Sequence, residues 1–154
     1  MKEKRLITAA LPYINNPPHA GNLVGSHLPA DIFARFCRLR GYDNVFIGGT
    51  DEHGTATEIA ARQNKITPKQ LCDHFYKIHK EIYDWFNISY DNFSRTSRKI
   101  HHETVKEIFL KIYDNGYLSE DYLELPYCKN CNMQLADRYI EGTCPYCSYD
   151  KARG

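Results

Sequence analysis

The chain has 154 residues, 42% of them apolar, and twenty basic against nineteen acidic side chains give it a formal charge of +1. That length is enough for one domain with a buried core, and so even a balance excludes a general electrostatic attraction for nucleic acid. No apolar run approaches the ~20 residues that cross a bilayer, and the charged start Met-Lys-Glu-Lys-Arg lacks the apolar core of a secretory signal, so a soluble, cytoplasmic protein without a membrane partner is expected.

In chain order, Leu6 to Leu11 is an apolar run of β type that passes through a Pro17-Pro18 loop and delivers His19-Ala20-Gly21-Asn22 to a helix start. Backbone N–H groups and the positive end of the helix dipole make such a junction a natural phosphate site. Gly21 lets a ligand approach the backbone, and His19 and Asn22, three residues apart, share one face of the first turn as donors. The stretch fits neither the GxGxxG nor the GxxxxGK[ST] pattern.

From Asn22 to Arg40 apolar residues recur at helical spacing, with Pro29 expected to kink the helix and Gly41 to end it. Val45-Phe46-Ile47 reads as a buried strand stopping at Gly48-Gly49, which completes a βαβ unit with parallel strands. Ligands of parallel sheets bind at the carboxyl ends of strands, so the segments 11–19 and 48–54 are expected to face one pocket. Helices follow over Thr55 to Gln63, Pro68 to about Phe86 behind a Thr67 cap, and from a Ser97 cap to about Asn115. Between the last two, residues 87–93 read as irregular or strand-like. Phe75, Tyr76, Tyr83, Trp85 and Phe86 are assigned to packing, Cys37 and Cys72 to small buried positions, and His74, His79, His101 and His102 to solvated helix faces.

Beyond Gly116 the character changes, and a boundary is placed there. Residues 117–126 alternate loosely enough for a strand. Cys128, Cys131, Cys144 and Cys147 then follow as Cys-x2-Cys-x12-Cys-x2-Cys, a spacing that closes a tetrahedral, structural Zn(II) site and fits a redox pair less well. Asp51-Glu52-His53, among glycines at a strand end, suits a ribose hydroxyl, a metal or a substrate ammonium group.

The run from Thr8 to Asn22 resembles the ATP-binding signature of class I aminoacyl-tRNA synthetases, a variant of His-Ile-Gly-His in which Asn22 replaces the second histidine and Ala20 a larger apolar residue. Ala10-Leu11-Pro12-Tyr13 and Gly48-Gly49-Thr50-Asp51-Glu52-His53-Gly54-Thr55 resemble the methionyl-tRNA synthetases in particular, of the archaeal kind. The resemblance implies an α/β, Rossmann-like parallel sheet: the N-terminal half of a class I catalytic domain over 1–116, then the start of a zinc-binding connective insertion over 117–154.

It also implies that His19, Gly21 and Asn22 bind ATP, supplied with Mg(II), and that His19 and Asn22 stabilise the transition state of adenylate formation. Leu11, Tyr13 and Asp51 would bind methionine, Asp51 through the α-amino group, and tRNA(Met) would receive the product. Whether Glu52 and His53 touch a ligand or support one stays open. In the archaeal kind four cysteine pairs make two knuckles, the second pair joining the third. By that pattern Cys144 and Cys147, like Cys128 and Cys131, take partners beyond Gly154, and a single four-cysteine site is the fallback. The 154 residues contain no Lys-Met-Ser-Lys-Ser loop, so they read as an N-terminal fragment whose activity alone is in doubt. The alternatives are a leucyl, isoleucyl or cysteinyl relative, against which Leu11, Tyr13 and Asp51 speak, and a non-catalytic zinc-containing module that binds tRNA or protein.

Overall fold

A computed structural model describes residues 3–130, 132–135, 141–142 and 147–153, which fall into two compact units, Met1–Ile108 and Phe109–Gly154. In the first unit, strands β1 (Lys4–Thr8), β2 (Asp43–Thr50) and β3 (Asn92–Arg95) form a parallel sheet in the order β1-β2-β3. Parallel neighbours need long crossovers. The first is supplied by α1 (Ala20–Asn22), a π turn (Leu23–His27) and α2 (Leu28–Leu39), the second by α3 (Thr55–Gln63) and α4 (Pro68–Trp85).

The βαβ unit is the expected one, with shifted ends. β1 stops at Thr8 because the chain then turns away, and the Ala10 amide donates to Ser26 Oγ at 2.8 Å. β2 runs on through the glycines that read as its terminators. A Cβ on Gly48 would lie 2.4 Å from the Tyr90 ring, and one on Gly49 would lie 2.9 Å from the Ser94 carbonyl oxygen. The glycines therefore admit the close approach of β3 and Tyr90 instead of ending the strand.

The kink expected at Pro29 takes the form of a widened turn, in which the Leu28 amide donates to the Leu23 carbonyl five residues back. A regular helix would need an N–H at Pro29 for the Gly25 carbonyl, and the proline ring would press on that carbonyl. Opening the preceding turn relieves both. Leu23, His27, Asp31, Ala34 and Cys37 form the inner face of this helical run.

α4 begins with a reciprocal cap: the Gln70 amide donates to Thr67 Oγ1 at 3.2 Å, and Gln70 Oε1 accepts from the Thr67 amide at 2.9 Å. Gly41 and Gly116 take positive φ after helices, as expected. α2 and α4 close one side of the sheet over a core of Ile7, Leu23, Ala34, Cys37, Phe46, Tyr83 and Ile88. Cys37 and Cys72 are buried and Tyr83 packs, whereas Trp85 is 79% exposed and so is not a packing residue here.

His79 corrects the expectation of a solvated face, because it is fully buried, and so is His27, which no pattern marked. His27 Nε2 lies 3.0 Å from the Tyr83 hydroxyl, and its Nδ1 hydrogen-bonds the Tyr90 hydroxyl. Burial, with the neighbouring His79, pushes the His27 pKa down to about 4, and burial lowers His79 as well. Unfolding releases both to the ordinary value near 6.5, so between about pH 4 and 6.5 the unfolded chain binds more protons. Stability is then complete above about pH 6.5 and is lost as pH falls toward 4, by up to about 3 kcal/mol through His27. Urea midpoints should fall steadily from pH 7 to pH 4.5, and a flat profile would contradict the assignment.

α5 (Lys99–Asp114) contains no buried residue, and the unit boundary falls within it. The second unit contains two antiparallel hairpins, β4 (Tyr127–Cys128) with β5 (Met133–Gln134) and β6 (Glu141–Gly142) with β7 (Ala152–Arg153). Residues 117–126 form no strand, contrary to the loose alternation. Cys131 and Cys144 lie outside the described residues, among which no group of three or more His, Cys, Asp and Glu is placed to hold a metal. No helix among the described residues is long and apolar enough to cross a membrane.

Candidate active site

Both special segments leave the sheet at the carboxyl ends of β1 and β2, and backbone bonds join them beyond the strands. The Asp51 amide donates to the Pro12 carbonyl at 2.9 Å and the Ile14 amide to the Asp51 carbonyl at 3.1 Å, which sets Tyr13 beside Asp51 in an isolated parallel bridge. Leu11 packs over Gly49, its Cδ2 being 3.2 Å from where a Cβ would stand. Gly49 and Asp51 are two apart on β2 and its extension and so share a face. Leu11, Tyr13 and Asp51 are thereby gathered on one surface. Leu11 and Tyr13 are half exposed, at 50% and 54%.

An open groove of about 510 Å³ lies along these strand ends, lined by Leu11, Gly48, Gly49, Ser94, Arg95 and His101 among others. It lies where parallel sheets bind ligands.

His19 and Asn22 form a pair of their own. The Asn22 amide donates to His19 Nδ1 at 3.3 Å, and Asn22 Oδ1 accepts from the His19 amide at 3.1 Å, a capping box at the start of α1. Because Nδ1 accepts, the neutral ring carries its hydrogen on Nε2. Asn22 spends its oxygen in the box and keeps its amide N–H groups. The cap thus leaves two donors, His19 Nε2–H and the Asn22 side-chain amide, as the unspent groups at this helix start. Gly21 has a second purpose beside ligand approach. A Cβ there would meet the imidazole at 3.0 Å, so the glycine leaves room for the ring to fold back.

Glu52, whose role the sequence left open, is a structural anchor. Its buried carboxylate accepts from Arg95 Nε at 2.6 Å and Thr50 Oγ1 at 2.9 Å on one oxygen and from Ser97 Oγ on the other. The Thr96 hydroxyl accepts from the Glu52 amide at 2.9 Å. His53 is exposed, with Nε2 3.3 Å from that of His102, so His102 meets a partner instead of solvent alone.

Arg95 escaped the sequence reading. It closes β3, pairs with Glu52 and with Asp73 of α4 at 2.7 Å, and lies 4.8 Å over the Tyr76 ring, while lining the groove. The signal for it is topological: an arginine at the carboxyl end of a third parallel strand belongs beside the other two strand ends. Asn92–Arg95 has no apolar periodicity, so the strand lies only partly within the span 87–93 that reads as irregular or strand-like.

The family model described as tRNA synthetases class I (M) matches residues 5–154. The chain is 54% identical to the cytoplasmic methionine–tRNA ligase of Arabidopsis thaliana over 99% of its own length and 19% of that protein. It is likewise 54% identical to the cytoplasmic methionine–tRNA ligase of Saccharomyces cerevisiae, over 97% and 20%. Among solved structures it is similar to the Mycobacterium tuberculosis methionyl-tRNA synthetase in complex with methionyl-adenylate, with a TM-score of 0.71 and 33% identity over 74% of this chain and 22% of that one. The chain thus spans about a fifth of the length of these relatives. With strand ends, capping box and family model in agreement, the chain belongs to the class I tRNA synthetases of the methionyl type.

Proposed function

We propose that this chain is part of a methionine–tRNA ligase that activates methionine with ATP and transfers it to tRNA(Met) in the cytoplasm. The observation that carries the reading is the pairing of Tyr13 with Asp51 at the strand ends, with Leu11 on the same surface. Leu11 and Tyr13 offer an apolar wall to the methionine side chain, and the Asp51 carboxylate offers a counter-charge to its ammonium group. ATP, brought with Mg(II), places its phosphates against the start of α1. There the His19 Nε2–H and the Asn22 amide donate to the phosphate oxygens. The methionine carboxylate oxygen attacks the α-phosphorus, the bond to the β-phosphate bridging oxygen breaks, and pyrophosphate leaves with that electron pair. Positioned donors stabilise the charge without any covalent enzyme intermediate.

Residues 1–116 belong on this reading to the catalytic half and 117–154 to the start of a zinc-binding insertion. The backbone fits such a group. Cys128 ends β4, and Cys147 lies in the connection from β6 to β7. Cys128 and Cys131, and Cys144 and Cys147, would hold Zn(II) as thiolates and fix those turns.

Methionine-dependent ATP–pyrophosphate exchange by the full-length protein tests the reading. Stimulation by methionine and not by leucine or cysteine is expected, and its absence would leave a non-catalytic module instead. Asp51→Ala is expected to weaken methionine binding about tenfold to a hundredfold, the usual worth of a charged hydrogen bond. Calorimetry returning the wild-type affinity would remove Asp51 from the site.

A further inference from the structure

We propose that His79, buried on α4, is a positioning residue for adenylate formation, holding in place the loop that joins the methionine-binding residues to His19. The proposal rests on the function proposed above.

The loop is clamped at its start, where Pro12 and Ile14 bond Asp51 and Ile14 is fully buried. It is tied again at His19 by the capping box. Between them lie residues 15–18, of which Pro17 and Pro18 have no N–H to give. Among the described residues one hydrogen bond reaches this span from outside, from His79 Nε2 to the Asn16 carbonyl at 2.8 Å.

A carbonyl only accepts, so Nε2 carries the hydrogen and Nδ1 is left as a lone pair. That Nδ1 is buried with no partner among the described residues. Packing alone would favour an apolar side chain in such a place, because a bare buried acceptor opposes folding. The bond to Asn16 accounts for the imidazole. Its ring is in turn seated edge-on against Tyr83, at 5.9 Å and 86°, and Tyr83 meets His27 of the π turn. The middle of the loop is therefore referenced to α4, three residues before the donor that faces the phosphates. Misplacement by about 1 Å is enough to cost on the order of a hundredfold in rate.

The test compares three variants of the full-length protein. His79→Leu removes the donor. His79→Asn keeps a polar side chain but cannot reach Asn16, and His79→Gln places an N–H near the position of Nε2. Exchange kinetics, normalised by active-site titration, should show kcat down about tenfold to a hundredfold in the Leu and Asn variants, methionine KM within about twofold, and most of kcat restored by Gln. Wild-type kcat per active site in the Leu and Asn variants, or a Gln variant as slow as they are, would overturn the proposal. Amide hydrogen exchange provides a readout without turnover: the Asn22 amide, bonded to His19, should exchange faster in the Leu and Asn variants but not in Gln. Unchanged protection in all three overturns the positioning claim, whereas a wild-type protein that shows no methionine-dependent exchange overturns the function beneath it.

Discussion

His19→Ala should lower methionine-dependent pyrophosphate exchange about 10²–10³-fold, the usual worth of one preorganised donor to a developing charge. The neutral ring keeps its hydrogen on Nε2 because Nδ1 already accepts the Asn22 amide at 3.3 Å. Losing the ring loses the donor and the cap together, and a missing cap by itself is worth only about 1 kcal/mol of stability. His19→Asn separates the two effects, since an asparagine side chain caps a helix as well but stops short of the Nε2 position. The Asn variant should fold like the wild type and turn over nearly as slowly as the Ala variant. Methionine affinity, which the proposed function assigns to Leu11, Tyr13 and Asp51, should hold in both. An Ala variant with normal turnover would end the assignment of His19 to the phosphates.

Arg95→Leu carries the largest expected cost to folding. The Glu52 side chain is fully buried, and Arg95 supplies the positive charge against it at 2.6 Å. Removing one partner of a buried pair strands the other, and the penalty runs to about 3–5 kcal/mol. The lower end applies here, because Arg95 is itself one-fifth exposed and Thr50 and Ser97 still donate to the carboxylate. Thermal unfolding should therefore shift sharply downward, and Arg95→Leu with Glu52→Gln should recover part of the loss by removing the stranded charge. A single variant as stable as the wild type would show that Glu52 is neutralised by other means.

Legibility followed the strength of local signals. α2, α4 and α5 have apolar residues at helical spacing, Thr67 and Pro68 announce a start, and Gly41 and Gly116 announce ends. Those features are written within a few residues of where they act. β3 was placed only loosely, at the end of the irregular or strand-like span 87–93, because a strand of Asn-Phe-Ser-Arg gains its place from backbone pairing to a glycine-rich neighbour, which leaves no periodic trace. His79 and His27 were misread or passed over for a related reason. A polar residue on a helix reads as solvated unless its partner is known, and their partners lie 56 to 63 positions away. The arrangement at the strand ends was clearer than the fold around it. Leu11, Tyr13 and Asp51 do gather at the strand ends, and His19 with Asn22 does begin a helix, because both arrangements follow from where two short motifs interrupt a βαβ unit.

The π turn between α1 and α2 has a consequence for registration. A π turn is one residue more than a regular helix needs, and each residue of helix is worth about 100° of rotation. The capping box lies before that extra residue and the Asp31, Ala34 and Cys37 face lies after it. Deleting one residue from 23–27 would leave the Asp31, Ala34 and Cys37 face where it is and turn His19 and Asn22 roughly a quarter of the way around the axis. The extra residue therefore sets the azimuth of the capping-box end independently of the end that anchors the helix in the protein.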